Sequence, residues 1–230
     1  MRAENDSAAG AIVLLSGGLD STVSLAMTAR SGATGTALFF DYGQRAASRE
    51  EQAARGIAAA YDFGFERVEL PWLAEHGASA LIAGGGEPLV WSADLLEDPS
   101  PRAVWVENRN GIFVSIAAFY AAEAGWRSVV VGFNREEARA FPDNSEEYLR
   151  RMNAVLELGV RSRVRLESPT LSMTKAEIVR AGIELDIPWR LLWSCYLGGA
   201  AMCARCESCL RLARAAEGTP ALAKIRFGKE

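Results

Sequence analysis

Short apolar runs recur along the chain and are separated by longer polar or mixed stretches. The first, Ala11 to Leu15, contains no polar position, as is typical of a strand buried on both faces of a sheet. We predict strands at residues 11–15, 36–40, 65–70, 128–131 and 164–167.

Helical patterns fill most of the segments between these runs. Apolar spacing and Ala-rich composition predict helices at residues 21–30, 46–60, 108–125 and 146–158. Thr174 and Glu177 have the spacing of a capping box, which predicts a further helix start. Because strands and helices alternate, we predict an α/β fold: a Rossmann-like parallel sheet with helices on both faces and right-handed crossovers.

Three segments fall outside this alternation. Residues 1–10 precede the first apolar run, and we expect them to form a disordered N-terminal extension. Periodicity fails over residues 71–103, where three consecutive glycines and several prolines predict a long loop. Residues 188–230 are expected to form a small, helical C-terminal segment that follows the main domain of residues 11–187.

Charge and hydropathy restrict the partners of this protein. Its 25 basic and 29 acidic side chains give a net charge of −4, which argues against a broad nucleic-acid-binding surface. No apolar run approaches the roughly 18–20 residues needed to cross a bilayer. The N-terminus also lacks the apolar stretch of a signal peptide. We therefore expect a cytoplasmic protein without membrane or nucleic-acid partners.

A glycine-containing turn joins the first strand to the first helix and reads Ser16-Gly17-Gly18-Leu19-Asp20-Ser21. Open α/β sheets bind anions at this position, where backbone N–H groups and a helix N-terminus face the ligand. The pattern is neither a Walker A loop nor a dinucleotide fingerprint. We predict a phosphate-binding loop rather than a plain turn, with Asp20 facing magnesium or acting within the first helical turn. The predicted ATP-binding residues here are Leu15, Ser16, Gly17, Gly18, Leu19, Asp20, Ser21 and Thr22.

All four cysteines lie close together near the C-terminus, at Cys195, Cys203, Cys206 and Cys209. Disulfides are uncommon in a reducing cytosol, and four thiolates at this spacing can surround zinc tetrahedrally without an open position. We therefore predict a structural zinc site. An iron–sulfur cluster and redox-active thiols are the alternatives.

Taken together, the two motifs make the chain resemble the 7-cyano-7-deazaguanine synthase (preQ0 synthase, QueC) family of PP-loop ATP pyrophosphatases. The resemblance extends from about residue 12 to residue 214. Further strings that carry it are Asp41-Tyr42-Gly43-Gln44-Arg45, Arg109-Asn110, Gly132-Phe133-Asn134, Pro142-Asp143, Thr174-Lys175-Ala176-Glu177-Ile178 and Trp193-Ser194-Cys195-Tyr196.

The resemblance implies a reaction and a set of site residues. The family converts 7-carboxy-7-deazaguanine and ammonia to the 7-nitrile with two ATP, through an acyl adenylate and an amide, in queuosine biosynthesis. Pyrophosphate charge develops as ATP is cleaved, so the site needs cations, and Lys175 and Arg109 are the candidates. The resemblance implies catalytic roles for Asp20, Ser21, Lys175 and Arg109, further nucleotide contacts from Gln44 and Arg45, and bound magnesium.

The segments expected near the deazaguanine depart from the family pattern. Ala46 stands where His is frequent, and Asn144 follows Pro142-Asp143 where the family usually has Cys. The substrate candidates are Asn110, Asn134, Phe133, Phe141 and Asp143, and for either phenylalanine stacking on the base competes with apolar packing.

Three other functions are open at this stage. The enzyme could stop at the amide or transfer the deazaguanine acyl group, or it could modify tRNA as other PP-loop enzymes do. A zinc-ribbon interaction module with a degenerate nucleotide fold is the third. Because every cysteine is in the cluster and His76 is the single histidine, no Cys–His pair remains to hydrolyse an amide. Ammonia should therefore arrive free or from a separate donor. A homodimer is compatible with the sequence, which does not fix the oligomeric state.

Overall fold

A five-stranded parallel sheet organises the protein, with strand order β3-β2-β1-β4-β5. The computed structural model describes residues 10–85 and 101–228. The predicted disorder of residues 1–9 lies outside the described residues, and Gly10 already belongs to the first strand. The strands are β1 (Gly10–Leu14), β2 (Thr34–Asp41), β3 (Gly64–Glu69), β4 (Ser128–Val130) and β5 (Arg165–Glu167).

Helices cover both faces of this sheet, as the alternation predicted. Alternate residues of β1 point to opposite faces: Val13 packs with one core cluster and Ile12 with the other. The first cluster contains α1, α2, α7 and α8, and the second contains α4 and α6. The helices are α1 (Leu19–Arg30), α2 (Ala47–Ala60), α3 (Pro71–His76), α4 (Arg109–Glu123), α5 (Glu137–Ala140), α6 (Glu146–Gly159), α7 (Lys175–Glu184) and α8 (Glu207–Ala216).

Two short helices lie outside the helices predicted from the sequence. Helix α3 begins at Pro71, whose fixed φ suits the first turn of a helix, within the predicted loop of residues 71–103. Helix α5 lies in the polar stretch before Ser145. Neither is long enough to show a helical period in sequence, which is why both were missed.

The C-terminal segment packs on the main domain through a shared hydrophobic core. Cys206, Cys209 and Leu212 are fully buried in the same cluster as Leu15 and Leu19 at the glycine turn. A backbone hydrogen bond of 2.9 Å from Trp193 N to Gly17 O joins the two segments directly. The segment predicted as residues 188–230 therefore forms part of the wall around the end of β1.

The turn after β1 requires glycine. Gly17 has a φ of +81°, which L side chains rarely adopt, and a Cβ there would lie 2.6 Å from that of Ala53.

Among the described residues, no helix combines the length and the apolar character that crossing a membrane demands.

Helix α7 begins at the capping box that the sequence predicted. Thr174 Oγ1 accepts a hydrogen bond from the backbone N–H of Glu177, whose Oε2 in turn accepts from the backbone N–H of Thr174 at 2.7 Å. This reciprocal cap fixes the first turn, and Lys175 is its first residue.

We predict that Thr174→Ala lowers the free energy of unfolding by about 1 kcal/mol, the usual cost of losing an N-cap. Urea denaturation monitored by circular dichroism measures the change. Thr174→Ser, which keeps the accepting hydroxyl, serves as the control and should stay within about half of that loss. Equal stability of the alanine and serine variants would contradict a role for the cap.

Candidate functional site

The glycine turn presents an uncapped helix N-terminus at the end of β1. Gly18 is the N-cap of α1 and has no side chain with which to cap the first-turn N–H groups. These donors and the helix dipole favour an anion at this point. The hydroxyls of Ser16 and Ser21 lie 3.2 Å apart beside the turn, and both residues line the adjoining cavity.

Other residues of the predicted loop hold the turn rather than face the cavity. Thr22 is fully buried, and its Oγ1 donates to Gly18 O at 2.7 Å. Leu15 and Leu19 belong to the hydrophobic core, although both reach the cavity wall. The structure thus brings Ser16, Gly18, Asp20 and Ser21 to the cavity and places Thr22 behind them.

A buried ammonium group joins three separate parts of the chain beside this turn. Lys175 Nζ contacts Asp20 Oδ2 and donates to Glu137 Oε1 at 2.9 Å. Asp20 lies in the first turn of α1, Glu137 begins α5 and Lys175 begins α7. Asn134 fixes α5 in place because its Oδ1 accepts from the backbone N–H groups of Glu136 and Glu137 at 3.0 and 2.9 Å.

Burial and charge perturb all three ionisable groups. Burial raises the pKa of Asp20 to about 6, with Lys175 opposing the shift. For Lys175, burial acts to lower the pKa, but the carboxylates of Asp20 and Glu137 outweigh it and the pKa is raised. Burial acts to raise the pKa of Glu137, and Lys175 reverses this so that the pKa is lowered. The second oxygen of Asp20, Oδ1, is buried without a hydrogen-bond partner among the described residues.

A second polar group lies at the end of β2. Gln44 is buried, and its Nε2 donates to Phe40 O and to Glu50 Oε2, both at 3.0 Å. Its Oε1 accepts from the backbone N–H of Tyr42. Both Gln44 and Glu50 line the cavity, and burial raises the pKa of Glu50 to about 7.

The two predicted arginines have different positions. Arg109, at the start of α4, lines the cavity, and its Nη1 donates to the Tyr42 hydroxyl at 3.1 Å. Arg45 instead donates to the backbone oxygens of Ala80 and Gly85, each at 3.0 Å, and holds the segment after α3. Arg45 is not one of the described residues that line the cavity.

Aromatic and amide side chains form a further part of the cavity wall. The rings of Trp105 and Phe141 are nearly parallel, at 4°, with centroids 6.1 Å apart. Asn110 Nδ2 donates to Asp143 Oδ2 at 2.8 Å, and Asn144 Nδ2 donates to the other oxygen at 3.2 Å. This aromatic wall therefore presents stacking surfaces beside an oriented carboxylate, whose pKa is raised by burial.

Two substrate candidates have other contacts. Asn134 is fully buried and does not reach the cavity, because its side chain caps α5. Phe133 lines the cavity but packs edge-on against Tyr148 with centroids 6.1 Å apart. Phe133 thus serves the core and the cavity wall together.

The cavity enclosed by these groups has a volume of about 320 Å³. The phosphate wall consists of the glycine turn, Lys175 and side chains of the C-terminal segment. The aromatic wall comes from the segment before α4, the start of α4 and the stretch between α5 and α6. Polar groups converge on this partly open space, which suits a small polar ligand.

The cysteine cluster lies behind the phosphate wall. The four Sγ atoms lie within 4.8 Å of one another, and Cys203 Sγ is 3.9 Å from Cys209 Sγ. A tetrahedron with zinc–sulfur distances of about 2.3 Å has edges of about 3.8 Å, so the cluster fits a single tetrahedral ion. Backbone N–H groups of Leu197 and Cys203 approach Cys195 Sγ at 3.4 Å, which favours a thiolate there.

Sequence comparison places the chain among known proteins. The family model for "Queuosine biosynthesis protein QueC" matches residues 10–219. The chain belongs to the QueC family. The 7-cyano-7-deazaguanine synthase of Pelotomaculum thermopropionicum is 47% identical over 211 residues, covering 90% of this chain and 96% of the relative. That of Desulforudis audaxviator is 48% identical over 209 residues, covering 89% and 94%.

Among solved structures, the NMN synthetase of Francisella tularensis has a similar fold. Its TM-score is 0.50 at 16% identity, and the match covers 83% of this chain and 66% of that protein. At this identity the likeness concerns the fold alone. The predicted Rossmann-like α/β fold agrees with this likeness and with the observed parallel sheet.

Several cavity residues of this QueC protein were missed in the sequence. Glu50 lies in an Ala-rich helix and Glu137 in a polar stretch of sequence, so neither belongs to a local motif. Trp105 follows a stretch without periodicity, and Glu207 and Arg211 lie among the cysteines and resemble ordinary helix-surface charges. Only the chain's path in space shows that they face one cavity.

We predict that Cys206→Ser lowers bound metal to well below one ion per chain and destabilises the protein, because the site loses a ligand and α8 loses its anchor. Metal analysis after gel filtration and thermal unfolding measure both effects. Ser208→Ala, on the same helix but outside the cluster, is the control. Full metal retention in the Cys206 variant would contradict the ligand assignment.

The raised pKa of Glu50 predicts a pH-dependent stability. In the folded protein this pKa is about 7, above its ordinary value of 4.5, so its stabilising contribution is complete below pH 4.5 and is lost as pH rises through 7. Glu50→Gln should therefore gain on the order of 1 kcal/mol over the wild type between pH 5 and 8.

Urea unfolding at several pH values, without ligands, measures this difference. Glu123→Gln, an exposed substitution on α4, is the control and should follow the wild-type profile. If the free energy of unfolding has the same pH dependence in Glu50→Gln and the wild type from pH 5 to 8, the Glu50 carboxyl does not titrate in that range.

Proposed function

We propose that this protein is a 7-cyano-7-deazaguanine synthase, which converts 7-carboxy-7-deazaguanine and ammonia to 7-cyano-7-deazaguanine (preQ0) with two ATP. The observation that carries the proposal is the identity of 47–48% with relatives of this name over nearly their whole length. The glycine turn, the cation beside it and the cavity provide the site that such a reaction needs. The amide-stopping, acyl-transfer and tRNA-modifying alternatives gain no support from these comparisons.

Activation of a carboxylate is the chemical problem. Oxide is a poor leaving group, whereas AMP leaves readily. The substrate carboxylate attacks the α-phosphorus of ATP, pyrophosphate departs, and an acyl adenylate forms. Ammonia then displaces AMP and gives the amide. The amide oxygen attacks a second ATP, pyrophosphate leaves again, and loss of AMP and a proton gives the nitrile.

The phosphate wall is suited to both adenylation steps. First-turn N–H groups of α1 and the hydroxyls of Ser16 and Ser21 bind phosphate oxygens. Lys175, held between Asp20 and Glu137, supplies a fixed positive charge near the departing diphosphate. Fixed donors of this kind need no reorganisation as charge develops, which lowers the barrier.

Asp20 is the residue best placed to hold magnesium. Its Oδ1 is buried, faces no donor among the described residues and belongs to a cavity-lining side chain. Carboxylate oxygens are the protein ligands that Mg²⁺ prefers. Bound magnesium would neutralise part of the triphosphate charge.

Zinc is the ion that the four cysteines would hold. Their separation fits one ion, whereas a multi-iron cluster spreads its cysteine ligands more widely. With four protein ligands the ion has no open position, so its role is to fold the C-terminal segment against the glycine turn.

The aromatic wall is the subsite for the deazaguanine. Trp105 and Phe141 offer flat faces for a planar heterocycle, and Asp143 can accept hydrogen bonds from the N–H groups of a guanine-type edge. Asn110 orients this carboxylate. Arg109 lies on the same side, held by the Tyr42 hydroxyl.

Ammonia reaches the acyl adenylate as free ammonia or from a separate donor protein, because the cysteines are committed to the metal cluster.

Incubation of the purified protein with 7-carboxy-7-deazaguanine, MgATP and ammonium chloride tests this function. Mass spectrometry should detect the nitrile, with AMP and pyrophosphate formed at two equivalents each. Accumulation of the amide alone, or no turnover, would refute the proposal.

We predict that Asp20→Ala abolishes pyrophosphate release in this assay, because the variant loses both the partner of Lys175 and the proposed magnesium ligand. A coupled pyrophosphate assay measures the rate, and circular dichroism with metal analysis verifies the fold. Asp62→Ala, at an exposed turn after α2, is the control and should retain wild-type turnover. Wild-type turnover of Asp20→Ala would exclude this role.

A further inference from the structure

Helix α8 of the metal-binding segment contributes to the cavity as well as to the cysteine cluster. Cys206 is its N-cap, and Cys209 and Leu212 are buried on its inner face. The adjacent face carries Glu207 and Arg211, both of which line the cavity. One helix therefore binds the metal on one side and faces the ligand space on the other.

Arg211 is fixed by a short chain of contacts. Its Nε pairs with Glu207 Oε1, and Glu207 Oε2 accepts from the Tyr196 hydroxyl at 2.9 Å. Within the described residues, this ion pair engages Nε and leaves the two terminal nitrogens as donors for a ligand. A planar guanidinium held in this way suits bidentate binding of a phosphate.

Arg211 lies on the phosphate wall. Its positive charge contributes to lowering the pKa of Glu137, the carboxylate that holds Lys175 beside the glycine turn. The backbone contact between Trp193 and Gly17 brings the same C-terminal segment against the turn. Arg109, another cation among the described lining residues, lies at the start of α4 and donates to the Tyr42 hydroxyl.

Charge balance on the phosphate wall favours a further cation besides magnesium. Lys175 already contacts two carboxylates, so its charge is offset before any nucleotide binds. The departing diphosphate is strongly anionic. Arg211, which has one carboxylate partner where Lys175 has two, is a further cationic side chain among the described lining residues.

We propose that Arg211 is a nucleotide-binding residue that contacts the diphosphate end of ATP, and that the metal cluster positions it through α8. The inference rests on the proposed function, because it assigns a residue to the same ATP site. It gives the cysteine cluster a second consequence: metal loss should weaken nucleotide binding as well as stability.

Calorimetric titration of Arg211→Gln with α,β-methylene-ATP, inorganic pyrophosphate and AMP, each with magnesium, tests the assignment. Affinity for the first two should fall by about tenfold or more, the loss expected for a charge-assisted contact, while AMP affinity stays within about twofold. Arg211→Lys keeps the positive charge but lacks the planar guanidinium that can donate two parallel hydrogen bonds, so its loss of affinity should be intermediate. Arg214→Gln, at an exposed position on the same helix, should bind all three as the wild type does.

The metal content of each variant is measured. If a variant keeps its metal but loses nucleotide affinity, the loss is assigned to the side chain at position 211. If Arg211→Gln loses metal, the affinity of the metal-containing Arg211→Lys variant tests the assignment instead. Unchanged affinity for the ATP analogue and pyrophosphate would overturn the inference. So would an equal loss for AMP, or a loss confined to 7-carboxy-7-deazaguanine, which would place Arg211 on the substrate carboxylate. If the wild type binds no nucleotide, the proposed function itself fails.

Discussion

The buried ammonium of Lys175 is the interaction on which the site depends. It contacts carboxylates from the first turns of α1 and α5, so three elements that are distant in sequence are held around the end of β1. A buried cation needs such partners, because leaving it unpaired in a poorly solvated position is very unfavourable. The two carboxylates also fix where the ammonium points. The glycine turn, the capping box of α7 and the cap that Asn134 provides for α5 all position members of this group.

The metal cluster extends this arrangement to the C-terminal segment. Three of its cysteines are buried with Leu15 and Leu19, and Cys203 packs against them, so the cluster and the cavity wall are part of one packing arrangement. A tetrahedral ion held by the four cysteines would add to the free energy of folding of this segment. The same segment then provides Tyr196, Glu207 and Arg211 to the cavity. The packing of the cysteine cluster in this way helps to determine the shape of the cavity.

The sequence predicted the parts of the site that depend on local backbone. Unbroken apolar runs identified the buried strands, since such strands have no solvent-facing side, and the glycine turn and capping box appeared where predicted. Several single polar side chains predicted to face a ligand have other contacts. Thr22 and Asn134 satisfy backbone groups inside the fold, and Arg45 binds the backbone of the segment after α3. Their directions are set by neighbours remote in sequence, which no motif records.

What the sequence alone determined was the α/β order of elements, the glycine turn after the first strand, the cluster of four cysteines and the family. Each of these features depends on the local spacing of residues: the period of apolar positions, the adjacent pair of glycines and the intervals between the cysteines. Only the tertiary structure decided which charged groups face one another. Glu137, Glu50 and Arg211 reach the cavity because a parallel sheet brings the ends of its strands, and the helices that follow them, to one edge. Burial at that edge shifts the pKa values and removes alternative partners, and burial is a property of the assembled fold.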